Sequence, residues 1–142
     1  MKVIAKITAL VALVACTPVS TGALNQEALL QRGLTQMTGQ QIAAQYVGNT
    51  CQITAYDSDG NVVGNGTNTY RTNGTVTKTN TPLGGEPVTR ERTWRMSGGN
   101  FCETLFRSGD EWCGGHEVFW QLEDTMYTFH DNGAVQNEIN CS

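Results

Sequence analysis

From Cys51 to its end the chain is cut at short intervals by turn signals: Asp59-Gly60, Asn73-Gly74, LGGEP at Leu83–Pro87, SGGN at Ser97–Asn100, RSGD at Arg107–Asp110, Asp124, and Asn132-Gly133. Asp-Gly and Asn-Gly steps supply the positive φ angles of tight hairpin turns. The runs between them are rich in Thr, Tyr, Trp, Phe and Val, and their spacing is that of an all-β sandwich or barrel. Only 15% of residues are charged, while Gly, Asn and Thr abound, which favours turns and strands over solvent-facing helices. The fold class expected is therefore mainly β: a small antiparallel meander or barrel-like domain.

Two short helices are expected ahead of it. Asn25 is placed to cap QEALLQRG, with Leu24 positioned to touch Leu29 and Gly33 to stop the helix. Thr38 and Gln41 form a capping box, Met37 and Ile42 are spaced as its hydrophobic staple, and Gly48 ends the second helix. The chain then divides into a leader and linker over 1–23, a short helical segment over 24–48 and a β domain over 49–142.

The leader has the charge-then-apolar order of a secretory signal, with Lys2 and Lys6 preceding an apolar run over Ile7–Ala15. That run is far shorter than the roughly 20 residues a membrane span needs. Leu13-Val14-Ala15-Cys16 resembles the bacterial lipobox, which implies lipidation at Cys16 and a membrane tether. Thr21-Gly22-Ala23 offers ordinary cleavage before Leu24 instead. The lipobox is the preferred reading because the apolar run ends at the cysteine itself. The expected location is lipid-anchored facing the periplasm, with a soluble periplasmic or secreted form as the alternative.

Loss of Lys2 and Lys6 with the leader takes the net charge from −4 to −6. Phosphate backbones are bound by clustered Lys and Arg, so nucleic acid is an unsuitable partner. Four cysteines remain besides Cys16, an even number in an exported chain, which favours disulfides. A meander that closes on itself makes its first and last strands neighbours, pairing Cys51 with Cys141. Cys102 and Cys113 flank the turn at Ser108-Gly109-Asp110, so a hairpin pairs them. The absence of a CxxC step argues for a structural role.

Strand periodicity puts Val118, Trp120 and Leu122 on one face against Phe119 and Gln121, and Val135, Ile139 and Cys141 together on one face of the last strand. In VTRERTWRM, Val88, Arg90, Arg92, Trp94 and Met96 share a face. If Trp94 faces the core, Arg90 and Arg92 follow it inward or sit at its rim, and guanidinium groups beside an aromatic wall suit an anionic ligand. A bulge, or a strand running past the sheet, would leave both arginines in solvent.

His116 and His130 are each followed by an acid, but neighbours on a strand point to opposite faces, so neither pair acts together. No catalytic triad order, nucleotide-binding glycine pattern or zinc motif occurs; no enzyme activity, metal or other cofactor is expected. Asn65 and Asn73 begin glycosylation triplets and read as turn residues.

TGQQIAAQYVGNT followed by TWRMSGGNFC resembles a group of small exported alphaproteobacterial proteins. In that group a short helix ending in Gly-Asn-Thr, here Gly48, Asn49 and Thr50, precedes a β domain with a Trp-Arg-apolar strand, here Trp94, Arg95 and Met96, then a glycine turn at Gly98 and a cysteine at Cys102. The resemblance implies a fold and an export route, with no assigned activity. The chain departs from it after Cys113, at GGHEVFW. The functional expectation is a non-enzymatic envelope binding module that takes an envelope protein or a small anionic ligand near Arg90, Arg92 and Trp94. The alternative is an inhibitor of a hydrolase, acting through the SGGN or RSGD turn.

Overall fold

The structure is a computed structural model, and it describes residues 24–114 and 118–142. The leader with Cys16, and His116 with Glu117, lie outside the described residues. The elements in order are α1 (Gln26–Leu30), β1 (Thr35–Gln36), α2 (Gly39–Tyr46), β2 (Thr50–Tyr56), β3 (Val62–Tyr70), β4 (Thr75–Pro82), β5 (Val88–Ser97), β6 (Asn100–Thr104), β7 (Glu111–Cys113), β8 (Trp120–Leu122), β9 (Thr125–Phe129) and β10 (Val135–Cys141).

Both helices start as their caps dictate. The Asn25 Oδ1 accepts from the Ala28 N–H, and in α2 the Thr38 Oγ1 accepts from Gln41 N–H while the Gln41 Oε1 accepts from Thr38 N–H. Met37 and Ile42 are buried together in the main core, whereas Leu24 is half exposed. Gly48 turns with φ 84°, which a side chain would resist, and its N–H donates to the Tyr70 carbonyl, tying the end of α2 to the sheet.

All the strand pairings are antiparallel and form one ten-stranded sheet, in the order β1-β8-β9-β10-β2-β3-β4-β5-β6-β7, curved into a half-barrel. The first long strand and the last are neighbours, with Cys141 opposite Cys51, and those two residues form a disulfide. Cys102 lies opposite Cys113 across the β6–β7 hairpin and forms the second. The sheet does not close: β7 ends one side of the strand order and β1 the other.

Two glycines allow the backbones of β3 and β4 to approach closely. A Cβ on Gly66 would lie 2.5 Å from the Thr79 carbonyl oxygen, and one on Gly64 2.7 Å from that of Thr81. Only residues without a side chain let the two backbones lie this close. The hollow they help to make is the concave face of the half-barrel.

The sheet buries its concave face, and at β8, β9 and β10 its convex face as well. On the concave side Met37, Ile42, Tyr46, Tyr70, Val76, Phe101, Phe119, Met126 and Ile139 form the main core, with α2 plugging one end. On the convex side α1 and the chain after it bring Leu29 and Leu34 onto Leu122, Tyr127 and Val135. Two face assignments are corrected here. A register shift between Val135 and Asn137 moves Val135 to the convex cluster while Ile139 stays concave. A turn at Val118 breaks the alternation, so Val118 and Phe119 both pack on the concave core and Trp120 and Leu122 on the convex one.

Candidate functional site

At the end of the half-barrel away from α2 the concave face encloses a cavity of about 500 Å³. Its position follows from strand direction. The inward row of each strand begins in the core with Cys51, Tyr70, Val76 or Met126, and reaches the cavity one or two steps on, at Ile53 and Ala55, Asn68 to Gly64, Asn80, and Thr128. Ile53, Phe119 and Ile139 form apolar wall, Tyr46 lies at the closed end, and Val63, Pro82 and Val88 stand at the mouth.

The closed end carries a polar network. Lys78 is in phase with Val76 and therefore points inward; its Nζ donates to Glu103 Oε2 at 2.7 Å, with side chains only 7% and 12% exposed. The Tyr70 hydroxyl donates to the same oxygen at 2.8 Å, and the Asn68 Nδ2 reaches the Tyr70 hydroxyl at 3.5 Å. Tyr70 in turn stacks on Tyr46 at 4.3 Å between ring centres. Burial, and next the Glu103 charge, raises the pKa of both phenols well above the usual value, so both are neutral at physiological pH.

The mouth is positive. Arg90 is exposed, lines the cavity, and lies over the Phe106 ring at 5.3 Å. Arg107, in the β6–β7 loop next to Phe106 in sequence, also lines it. Arg92 is used differently. Its Nε and Nη2 donate to the Leu105 and Phe106 carbonyls, which fastens that loop to β5. The Cys102–Cys113 disulfide fastens it at its base. Trp94 stacks on Phe101 and donates from Nε1 to the Arg71 carbonyl; it is part of the structural wall and does not line the cavity. Of the three residues expected from strand periodicity, the fold thus brings Arg90 to the cavity, uses Arg92 to hold its loop, and places Trp94 beneath.

Arg107, Glu103, Lys78 and Asn68 were not among the residues expected from the sequence. A signal existed: Lys78 alternates in phase with Val76, and Glu103 with Phe101, and a charge in phase with core residues is an anomaly that calls for a buried partner. Asn65, expected in a turn, lies within β3 and lines the cavity; Asn73 is in a turn, its Oδ1 accepting from Thr75. The His130 ring is within hydrogen-bond distance of the Tyr56 carbonyl, 2.9 Å away. Among the described residues no cluster of His, Cys, Asp and Glu is placed to hold a metal.

The two turns considered for an inhibitor are compact. Gly98 and Gly99 form a two-residue turn between the paired Ser97 and Asn100, and the RSGD loop closes on itself through Leu105 N–H to Asp110 O and Gly109 N–H to Leu105 O.

Comparison with protein-family models, with curated proteins and with solved structures finds no match to this chain.

Proposed function

We propose that this chain is an exported, non-enzymatic binding module, tethered to a membrane through lipid at Cys16, whose half-barrel takes up a small anionic ligand. The observation that carries the reading is the cavity: at about 500 Å³ it falls within the ~300 to 1,000 Å³ typical of small-molecule sites, and it joins apolar walls to two guanidinium groups at its mouth. An acidic chain that gathers arginines around one opening steers anions there. The two disulfides fit an oxidising, extracytoplasmic compartment. The resemblance to exported alphaproteobacterial proteins supports the same route. Among the described residues no helix is long and apolar enough to cross a membrane.

Native mass spectrometry of the protein purified from a bacterial envelope, expressed with its own leader, tests this. The expected spectrum begins at an acylated Cys16 and includes a noncovalent adduct of a few hundred daltons that denaturation removes. A chain that starts at Leu24 would remove the tether. A protein with no adduct, and no uptake of an anionic dye, would remove the binding function.

A further inference from the structure

We infer that the cavity selects an elongated amphiphile with an anion at one end and a hydrogen-bond donor at the other, the anion held at the mouth by Arg90 and Arg107 and the donor received inside by Glu103 and Asn68. This rests on the cavity being a ligand site and adds what the site selects.

At the mouth, cationic charge is left free. Arg71 and Arg95 are paired with Glu91 and Glu111, and Lys78 with Glu103. Arg90 has the Phe106 ring as its partner, and among the described residues Arg107 makes no hydrogen bond or ion pair. Two guanidiniums that line one cavity without an acidic partner present forked donors that suit a carboxylate.

Inside, two acceptor atoms are unmet. Glu103 Oε2 receives both Tyr70 and Lys78, and its Oε1 receives no donor among the described residues. Asn68 is only 9% exposed; its amide nitrogen is turned to Tyr70, and its Oδ1 also lacks a donor among them. No buried side-chain oxygen among the described residues is sealed off without a partner, so both atoms open onto the cavity their residues line. Water satisfies them when the site is empty. A ligand that displaces this water must bring a donor or leave a buried carboxylate and amide unmet, and that asymmetry is what makes polar readout selective.

Between the two ends the wall is Ile53, Phe119 and Ile139, which suits a methylene chain. At the ~30 Å³ that a water-sized group occupies in a liquid, about 500 Å³ holds roughly seventeen heavy atoms. One medium-length chain fits; the paired chains of a phospholipid do not.

The test is displacement of anilinonaphthalene sulfonate from the full chain by ω-hydroxydodecanoate, dodecanoate and dodecanediol. The hydroxy acid is expected to displace the dye at roughly tenfold lower concentration than either of the others, as one hydrogen bond to a charged acceptor warrants. Asn68→Leu should narrow the gap between hydroxy acid and plain acid, and Arg107→Gln the gap between hydroxy acid and diol. The wild-type series decides the question whatever the variants' stability. Equal displacement by hydroxy acid and plain acid, with dye binding abolished by Ala55→Trp, would overturn the donor-reading end and leave the cavity a ligand site. Dye binding that Ala55→Trp does not change would overturn the ligand site itself.

Discussion

Replacing Lys78 with Met should be the most damaging single change to the polar network at the closed end of the cavity. Met matches the lysine stem in length and removes only the ammonium. That leaves Glu103, whose side chain is 12% exposed, with the Tyr70 hydroxyl as its sole donor among the described residues. Breaking a buried pair by removing one partner costs about 3–5 kcal/mol, because the remaining charge is stranded. A solvent-exposed pair such as Arg95–Glu111 is screened by water and contributes far less. For a domain stable by ~5–15 kcal/mol the difference is easily read from urea unfolding, as a lower midpoint at unchanged slope. Lys78→Met with Glu103→Gln should recover most of the loss, since no charge is then stranded. A Lys78→Met variant within about 1 kcal/mol of wild type would refute the claim that the pair is buried and coupled, and with it the account of the cavity's closed end.

Loss of either disulfide should destabilise unequally: the Cys51–Cys141 bond spans 90 residues and Cys102–Cys113 only 11, so chain entropy gives roughly 4.6 against 2.8 kcal/mol, to be measured as Cys-to-Ser pairs in urea. The smaller loss of stability should carry the larger loss of dye binding, because the short loop bears Phe106 and Arg107. Glu123, in the two-residue turn between β8 and β9, has φ 55°; Glu123→Gly should raise the urea midpoint, through a gain of about 1 kcal/mol, the order of the strain of a left-handed conformation. From neutral pH to about 10 the phenols of Tyr46 and Tyr70 leave stability flat, and above about 10 it should fall, since they are raised in the folded state and those of the unfolded chain ionise first. Tyr46→Phe, whose hydroxyl makes no hydrogen bond among the described residues, should make that fall shallower in urea titrations at pH 9 and 10.5.

What the sequence made legible was local or periodic. The Thr38–Gln41 box and the Asn25 cap are set by residues three apart, and each forms as spaced. The disulfide pairing was legible because each cysteine pair sits in register once the strands are antiparallel neighbours. What was not legible depends on breaks in periodicity. The shift at Val135 and the turn at Val118 each move later side chains to the other face, and neither leaves a Gly or Pro mark at that residue. β1 is two residues long, too short for any period, and it exists because Gln121 and Trp120 offer it an edge. The convex core was hidden because β9 is buried on both faces, so Met126, Tyr127 and Thr128 lack the apolar-polar alternation that marks a half-buried strand. Strand periodicity puts Arg90 and Arg92 on one face of β5, and only the fold distinguishes Arg90, at the cavity mouth, from Arg92, committed to the Leu105 and Phe106 carbonyls.

The most direct test of the cavity as a ligand site is a dodecanoate titration of the isotopically labelled chain followed by amide chemical shifts. The half-barrel cavity predicts saturable shifts at Ala55, Gly64, Gly66, Asn80, Arg90 and Arg107, with little change at Leu29 and Tyr127 on the convex side. Shifts confined to the SGGN or RSGD turns or to the convex cluster, or none at all, would contradict it.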